Sequence, residues 1–205
     1  PAGRRLLDVG CGAGQFLSMA RAAGWNAEGV EPDPDAAAAA RARGLAVSGS
    51  FLSGAGLKRG AYDALTIWDA LDLSESPAAE LREAFRVLAP GGRLWVRVRN
   101  APFNAALMRW GAGLSCLGTI HRHGFGVVQL ENALHAHGFG DIVFSRSPTA
   151  LPGPYLEGLG PVSRFLGCWG GLLAPTALLA CARKPTTQPR VLHLITRLDP
   201  GGSAS

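Results

Sequence analysis

Residues 6–15 read LLDVGCGAGQ, with glycine at three alternate positions directly after an apolar run that closes on an acid. A loop so poor in side chain lets backbone N–H groups and the N-terminus of a following helix come close to a ligand. It therefore belongs between a buried strand (5–9) and a helix (14 to about 23, with Phe16, Ala20 and Ala23 on one face). The rest of the chain continues that alternation. WNAEGVE (25–31) reads as a strand, and Asp33-Pro34 caps a helix that runs through the alanines to Arg43. Strands are expected at 45–48 and 62–68. A helix follows from Ser76-Pro77, with Leu81, Ala84, Phe85 and Leu88 on one face, and PGG (90–92) is expected to stop it. After a strand at 93–99, the stretch from Asn100 to Phe125 has no readable period and is taken as an active-site insertion. A helix over 127–137, a strand at 141–147, an irregular stretch and a last strand at 176–182 complete the order.

Strand and helix in this order predict an α/β fold, a Rossmann-like doubly wound seven-stranded sheet, mostly parallel with an antiparallel last strand. In such sheets ligands sit beyond the carboxyl ends of the strands, at the switch point beside the first one. Nucleotide-diphosphate sites use GxGxxG, which requires glycine at position 15, and this chain has Gln15. Glu31, at the tip of the second strand, stands where an acid accepts hydrogen bonds from ribose hydroxyls. A ribose without a pyrophosphate is the implied ligand.

Composition bounds the partners. With 205 residues and 47% hydrophobic content the chain can bury one good core. The net charge of +5 is spread mostly over single arginines, which gives a mildly basic surface and no nucleic-acid patch. Cysteines at 11, 116, 168 and 181 lack CxxC spacing, which suits a reducing cytoplasm and gives no metal site. Residues 165–182, FLGCWGGLLAPTALLACA, carry no charge, but three glycines and Pro175 interrupt them. They read as a buried helix end, a turn and a buried strand, with no transmembrane segment. The first strand pattern begins almost at Pro1, so an N-terminal cap is expected to precede it.

LLDVGCGAG, the acid in GVEPDP, YDALTIWDAL and REAFRVLAPGGRLWV follow one another as in class I S-adenosylmethionine-dependent methyltransferases. The chain resembles that family over about residues 4–147, and its small-molecule branch in particular. The resemblance implies that Asp8 and the backbone of Gly10, Gly12 and Gly14 surround the methionine part of S-adenosyl-L-methionine, and that Glu31 takes the ribose hydroxyls. It places Ser50 and Phe51 beside adenine, without the acid the family usually has there. Trp68 and Asp69 would close the fourth strand beside the sulfonium, although Trp68 also reads as a packing residue. In DALDLSESP the family's Glu-His pair is replaced by Asp72 and Leu73. The histidine-containing stretch HRHGF then makes His121 or His123 the base candidate, with Asp72 as the alternative.

RVLHLITRLDPGG (190–202) resembles the opening strand and glycine loop of a family-4-type glycosyltransferase. The expected organisation is a methyltransferase domain over 1–184, a linker at 185–189 and the start of a sugar-transferase domain at 190–205. A small-molecule or glycan hydroxyl is then the expected acceptor, in surface polysaccharide synthesis. Two other classes stay open: a nicotinamide-dependent oxidoreductase on the same fold, and a non-catalytic cofactor-fold module.

Overall fold

The computed structural model describes residues 4–102, 105, 122–146 and 177–186. They form a single sheet of seven strands in the order β3-β2-β1-β4-β5-β7-β6. The strands are β1 (Arg5–Val9), β2 (Asn26–Val30), β3 (Ala46–Ser48), β4 (Tyr62–Trp68), β5 (Leu88–Arg99), β6 (Gly140–Arg146) and β7 (Ala177–Arg183). The first five run parallel, and β7 lies antiparallel between β5 and β6. The chain steps from β1 outward to β2 and β3, then returns to place β4 on the other side of β1. That reversal puts the switch point between β1 and β4, and a crevice opens beyond their carboxyl ends.

Side chains alternate across the sheet. On one face Leu6, Ala27 and Ala64 pack with Leu17 and Ala20 of α1 (Gln15–Ala22) and Ala40 of α2 (Pro34–Ala42). On the other, Leu7, Val9, Leu65, Ile67, Leu94 and Val96 pack against α3 (Pro77–Val87) and α4 (Val127–Ala136). Small alanines on the inner side of α2 let it lie close to the sheet, with Ala37 and Ala40 fully buried. Asp33 caps α2 by accepting from the N–H groups of Asp35 and Ala36, both at 2.9 Å. Ser76 caps α3 in the same way through Ala79.

Three local expectations are corrected. The buried stripe of α1 is Leu17 and Ala20; Ala23 is exposed at the helix end, and Phe16 turns toward the crevice. The α3 stripe is Glu80, Leu81, Ala84 and Val87, with Phe85 half-buried and Leu88 already in β5. PGG does not lie between helix and strand: α3 ends at Val87 and β5 runs through it. The reason is a partner distant in sequence. The Gly91 N–H donates to the Lys184 carbonyl and the Lys184 N–H to the Gly92 carbonyl, both at 2.9 Å, so the turn is annexed to the sheet. Lys184 also donates from Nζ to the carbonyls of Phe85 (2.7 Å) and Leu88 (2.6 Å), which satisfies acceptors left over where α3 ends. Burial lowers its pKa. A short 3-10 turn at Leu52–Gly54 had no sequence signal.

Among the described residues no helix is long and apolar enough to cross a membrane. The end of the uncharged 165–182 segment forms β7; residues 165–176 lie outside the described residues, as do 190–205.

Candidate functional site

The glycine loop joins β1 to α1, and all three alternate glycines are left-handed, with φ of 70° at Gly10, 54° at Gly12 and 78° at Gly14. Their surroundings differ. A Cβ on Gly10 would lie 2.5 Å from the Cβ of Ala70, and one on Gly14 would lie 2.2 Å from Leu45 Cδ1. One on Gly12 would meet nothing within 4 Å among the described residues. Gly10 and Gly14 are therefore held by close packing, while Gly12 leaves open room in front of the loop.

Glu31 closes the loop from the tip of β2. Its carboxylate accepts from the Gly12 N–H at 2.8 Å and from the Asp33 N–H at 2.9 Å. Those bonds leave lone pairs on both oxygens, and the side chain reaches the cavity wall. Arg43, which caps the end of α2, pins the loop by donating to the Ala13 carbonyl at 2.7 Å. Asp8 lies behind the loop, 2% exposed, and accepts from Thr66 Oγ1 at 2.7 Å. Burial pushes its carboxyl up to about 7; the Thr66 bond opposes the shift, and the charge of Glu31 adds to it. Burial likewise pushes the Cys11 thiol up to about 12, so it stays protonated and unreactive.

Two cavities meet at Gly10 and Trp68. The first, of about 310 Å³, lies between Glu31, Ser50, Phe51, Leu52, Leu73 and Ser74. The second, of about 670 Å³, lies between Asp8, the glycine loop, Phe16, Met19 and Arg97. Trp68 is the partition: Phe16 packs edge-on against its ring at 5.4 Å, and the Arg97 guanidinium lies 5.8 Å from the ring centre. Its indole N–H is buried with no hydrogen-bond partner among the described residues. Ser50 sits 3.2 Å from Ser48 through the two hydroxyls, and Phe51 is half-exposed at the rim.

The loop after β4 makes the remaining wall. Asp69 is left-handed at φ 53° and its N–H donates to the Arg97 carbonyl at 2.9 Å. Its carboxylate accepts from Arg97 Nε at 3.0 Å and also from Nη2, so it forms a two-pronged ion pair. Asp72 is buried and does not line either cavity; its carbonyl accepts from the N–H groups of Arg122 (3.0 Å) and His123 (3.1 Å). His123 reaches the Ser74 carbonyl through Nε2 at 3.1 Å. Since a carbonyl only accepts, Nε2 carries the proton there, and Nδ1 is the basic nitrogen of the neutral ring. His121 lies outside the described residues.

Two wall residues escaped the sequence reading. Glu80, in the first turn of α3, is buried on the first cavity and accepts from Ser53 Oγ at 3.0 Å. Burial raises its pKa, and hydrogen bonds from Ser53 and Leu52 oppose the shift. Its signal was an acid on an otherwise apolar helix stripe. Arg97 was hidden by the plain alternation of RLWVRVR, which reads as an ordinary half-exposed strand.

A glycine loop at the switch point of a doubly wound sheet, with an acid at the tip of the neighbouring strand, defines a class of nucleoside-cofactor domains. A methyltransferase-domain family model matches residues 1–142, and the chain belongs to that family. A ubiquinone biosynthesis O-methyltransferase of Xanthomonas oryzae pv. oryzae is 32% identical over 106 residues, covering 48% of this chain and 44% of that protein. The chain thus spans under half the length of the curated relative it matches. An S-adenosylmethionine-dependent methyltransferase of Mesorhizobium loti shares the fold with a TM-score of 0.66 at 22% identity, over 88% of this chain and 91% of that one. The cyclase SpnF is 27% identical with a TM-score of 0.65, over 90% of this chain and 76% of its own.

Proposed function

We propose that this domain binds S-adenosyl-L-methionine and transfers its methyl group to a hydroxyl of a small molecule. The observation that carries the reading is the pair of cavities joined at Gly10 and Trp68, one beside Glu31 and the other beside Asp8 and the glycine loop. The residues fit the cofactor. Glu31 would accept the ribose hydroxyls, and Ser50 and Phe51 would border adenine. Gly12 would leave room for the methionine part, and Asp8 would face its ammonium group. Bound there, the cofactor supplies a methyl group on a cationic sulfur, which needs only an aligned acceptor oxygen. Positioning then contributes much of the rate.

An aliphatic or phenolic O–H must lose its proton as the new O–CH3 bond forms. We assign that proton to His123 Nδ1, with the Ser74 carbonyl holding the ring through Nε2. Oxygen as the acceptor atom is supported by the name of the Xanthomonas relative. A sugar hydroxyl is the finer variant of the reading, and its support is the glycosyltransferase-like stretch 190–202 alone. A second reading, a cofactor-fold domain that transfers no methyl group, is favoured by Leu73 in place of the family's histidine and by the cyclase among the structural neighbours.

The test is calorimetry followed by transfer of labelled methyl to catechols and to sugar alcohols. Cofactor binding with label on a hydroxyl is expected. Binding without transfer to any acceptor would favour the second reading, and no binding would end both. His123→Ala should lower kcat about a hundredfold while cofactor affinity stays within about twofold. Loss of turnover in Asp72→Asn but not in His123→Ala would move the base to the carboxylate.

A further inference from the structure

The second cavity is lined by ionisable groups of both signs, the Asp8 carboxyl and the Arg97 guanidinium. The glycine loop and Phe16 complete the lining. An amino-acid group, ammonium at one end and carboxylate at the other, is the ligand chemistry that complements such a wall. We infer that Arg97 holds the α-carboxylate of the cofactor's methionine part and that Asp69 keeps Arg97 in place and offsets its charge. The inference rests on the proposed cofactor site and assigns it a residue.

Arg97 stands near the carboxyl end of β5, beside Trp68 of β4 in the sheet register. It is on the same face as Trp95, which packs with the α1 side of the core. A guanidinium has five N–H donors in a fixed fork. Asp69 engages Nε and Nη2, which leaves the Nη1 donors outside the ion pair. The side chain is 35% exposed, so these donors are within reach of a ligand entering the cavity. Two parallel bonds to Asp69, with the ring of Trp68 beside the guanidinium, fix the fork before any ligand arrives.

The pairing also answers an electrostatic problem. A cation bordering the cavity of a cationic sulfonium would repel it, and repulsion between unit charges is strong where water is excluded. Asp69 cancels that field at the sulfonium, while the forward donors of Arg97 still present hydrogen bonds to an anion. The left-handed backbone of Asp69, which asparagine and aspartate tolerate better than other side chains, turns its carboxylate back onto β5 to make the pair.

The test compares three ligands that differ only at this end: S-adenosylmethionine, S-adenosylhomocysteine, and 5′-methylthioadenosine, which has no amino-acid part. Arg97→Met should weaken S-adenosylhomocysteine about tenfold or more, the size of a lost charged hydrogen bond, and leave methylthioadenosine unchanged. Asp69→Asn should weaken the sulfonium ligand more than the neutral thioether, because it uncovers the Arg97 charge. Equal losses for all three ligands in Arg97→Met would show that the residue only holds up the fold and would overturn the assignment, as would wild-type affinity for S-adenosylhomocysteine. If the unaltered protein binds none of the three, the cofactor reading itself fails, and that outcome is separable from a misplaced carboxylate.

Discussion

The two sides of the crevice are built differently. The β1–β2 side is wired mostly within residues 8–33, where Gly10 and Cys11 donate to the Val30 carbonyl and Gly12 to Glu31, with Arg43 on Ala13 and Thr66 on Asp8 added from outside. The other side is held by residues far along the chain: after β4, Asp69 by Arg97 and Ser74 by His123, and before β4, the Ser53 turn by Glu80. Local wiring gives a rigid cradle whose chemistry is the same whatever the acceptor. Distant wiring lets the second wall be changed without touching the cradle. This predicts that damage on the first side removes the fold or cofactor binding altogether, and that damage on the second changes the rate or weakens the grip on one end of the cofactor.

The largest expected effect tests the cradle against itself. Gly14→Val places its Cβ 2.2 Å from Leu45 on a left-handed backbone and should cost about 3 kcal/mol or more in a denaturant melt. Gly12→Ala, with open space ahead of it, should cost only about 1 kcal/mol of stability from its left-handed backbone, yet weaken the cofactor severely. If Gly12→Ala binds as the parent does, the open room is not where the cofactor lies. Gly10→Ala should resemble Gly14→Val, since Ala70 from the far side of the crevice stands 2.5 Å away.

The same division explains what sequence alone revealed. β1 and β4 begin and end as the apolar runs require, because their neighbours in the buried sheet are set by the alternating pattern. The cradle was readable because its glycines and its acid are close in sequence and each does a job no other residue type does as well. PGG was misread because the decisive partner, Lys184, is 92 residues or more away. Arg97 and Glu80 were missed for the same reason: an arginine on a strand and a glutamate on a helix acquire meaning only when the sheet brings Asp69 and Ser53 beside them. Asp72 and His123 share a backbone contact across 51 residues that no spacing rule anticipates.

An intermediate effect follows from Asp8. Its ordinary value of 3.8 rises to about 7 in the fold, so its contribution to the stability of the free domain is complete below about pH 4 and lost as the pH climbs through 7. A bound ammonium group favours the ionised carboxyl, so cofactor affinity should rise over the same interval. Asp8→Asn should flatten both slopes, stabilising the free domain above pH 7 while weakening the cofactor about tenfold, or ~1.4 kcal/mol. Thermal melts and calorimetry between about pH 5 and 8 would show it. Thr66 and Glu31 face the same carboxyl, and Cys11 beside it stays a thiol throughout this range. Unchanged pH slopes in Asp8→Asn would show that the Asp8 carboxyl is not the group that titrates in this interval.

The smallest effect concerns Glu80, and it separates the two cavities most sharply. Glu80 lines the first cavity while it holds the Leu52–Gly54 turn, which carries the wall next to Phe51. Glu80→Gln keeps the shape and one acceptor oxygen but replaces the other by a donor, which cannot serve backbone N–H groups. The turn should loosen by about 0.5–1.5 kcal/mol, the net worth of one such hydrogen bond. Because the turn would border the adenosine end of the proposed cofactor, methylthioadenosine and S-adenosylhomocysteine should weaken equally, by roughly threefold, which is about 0.6 kcal/mol. That pattern is the opposite of the one expected for Arg97. If Glu80→Gln instead discriminated between the two ligands, the turn and the methionine end would be coupled through Trp68, and the two cavities would have to be treated as one.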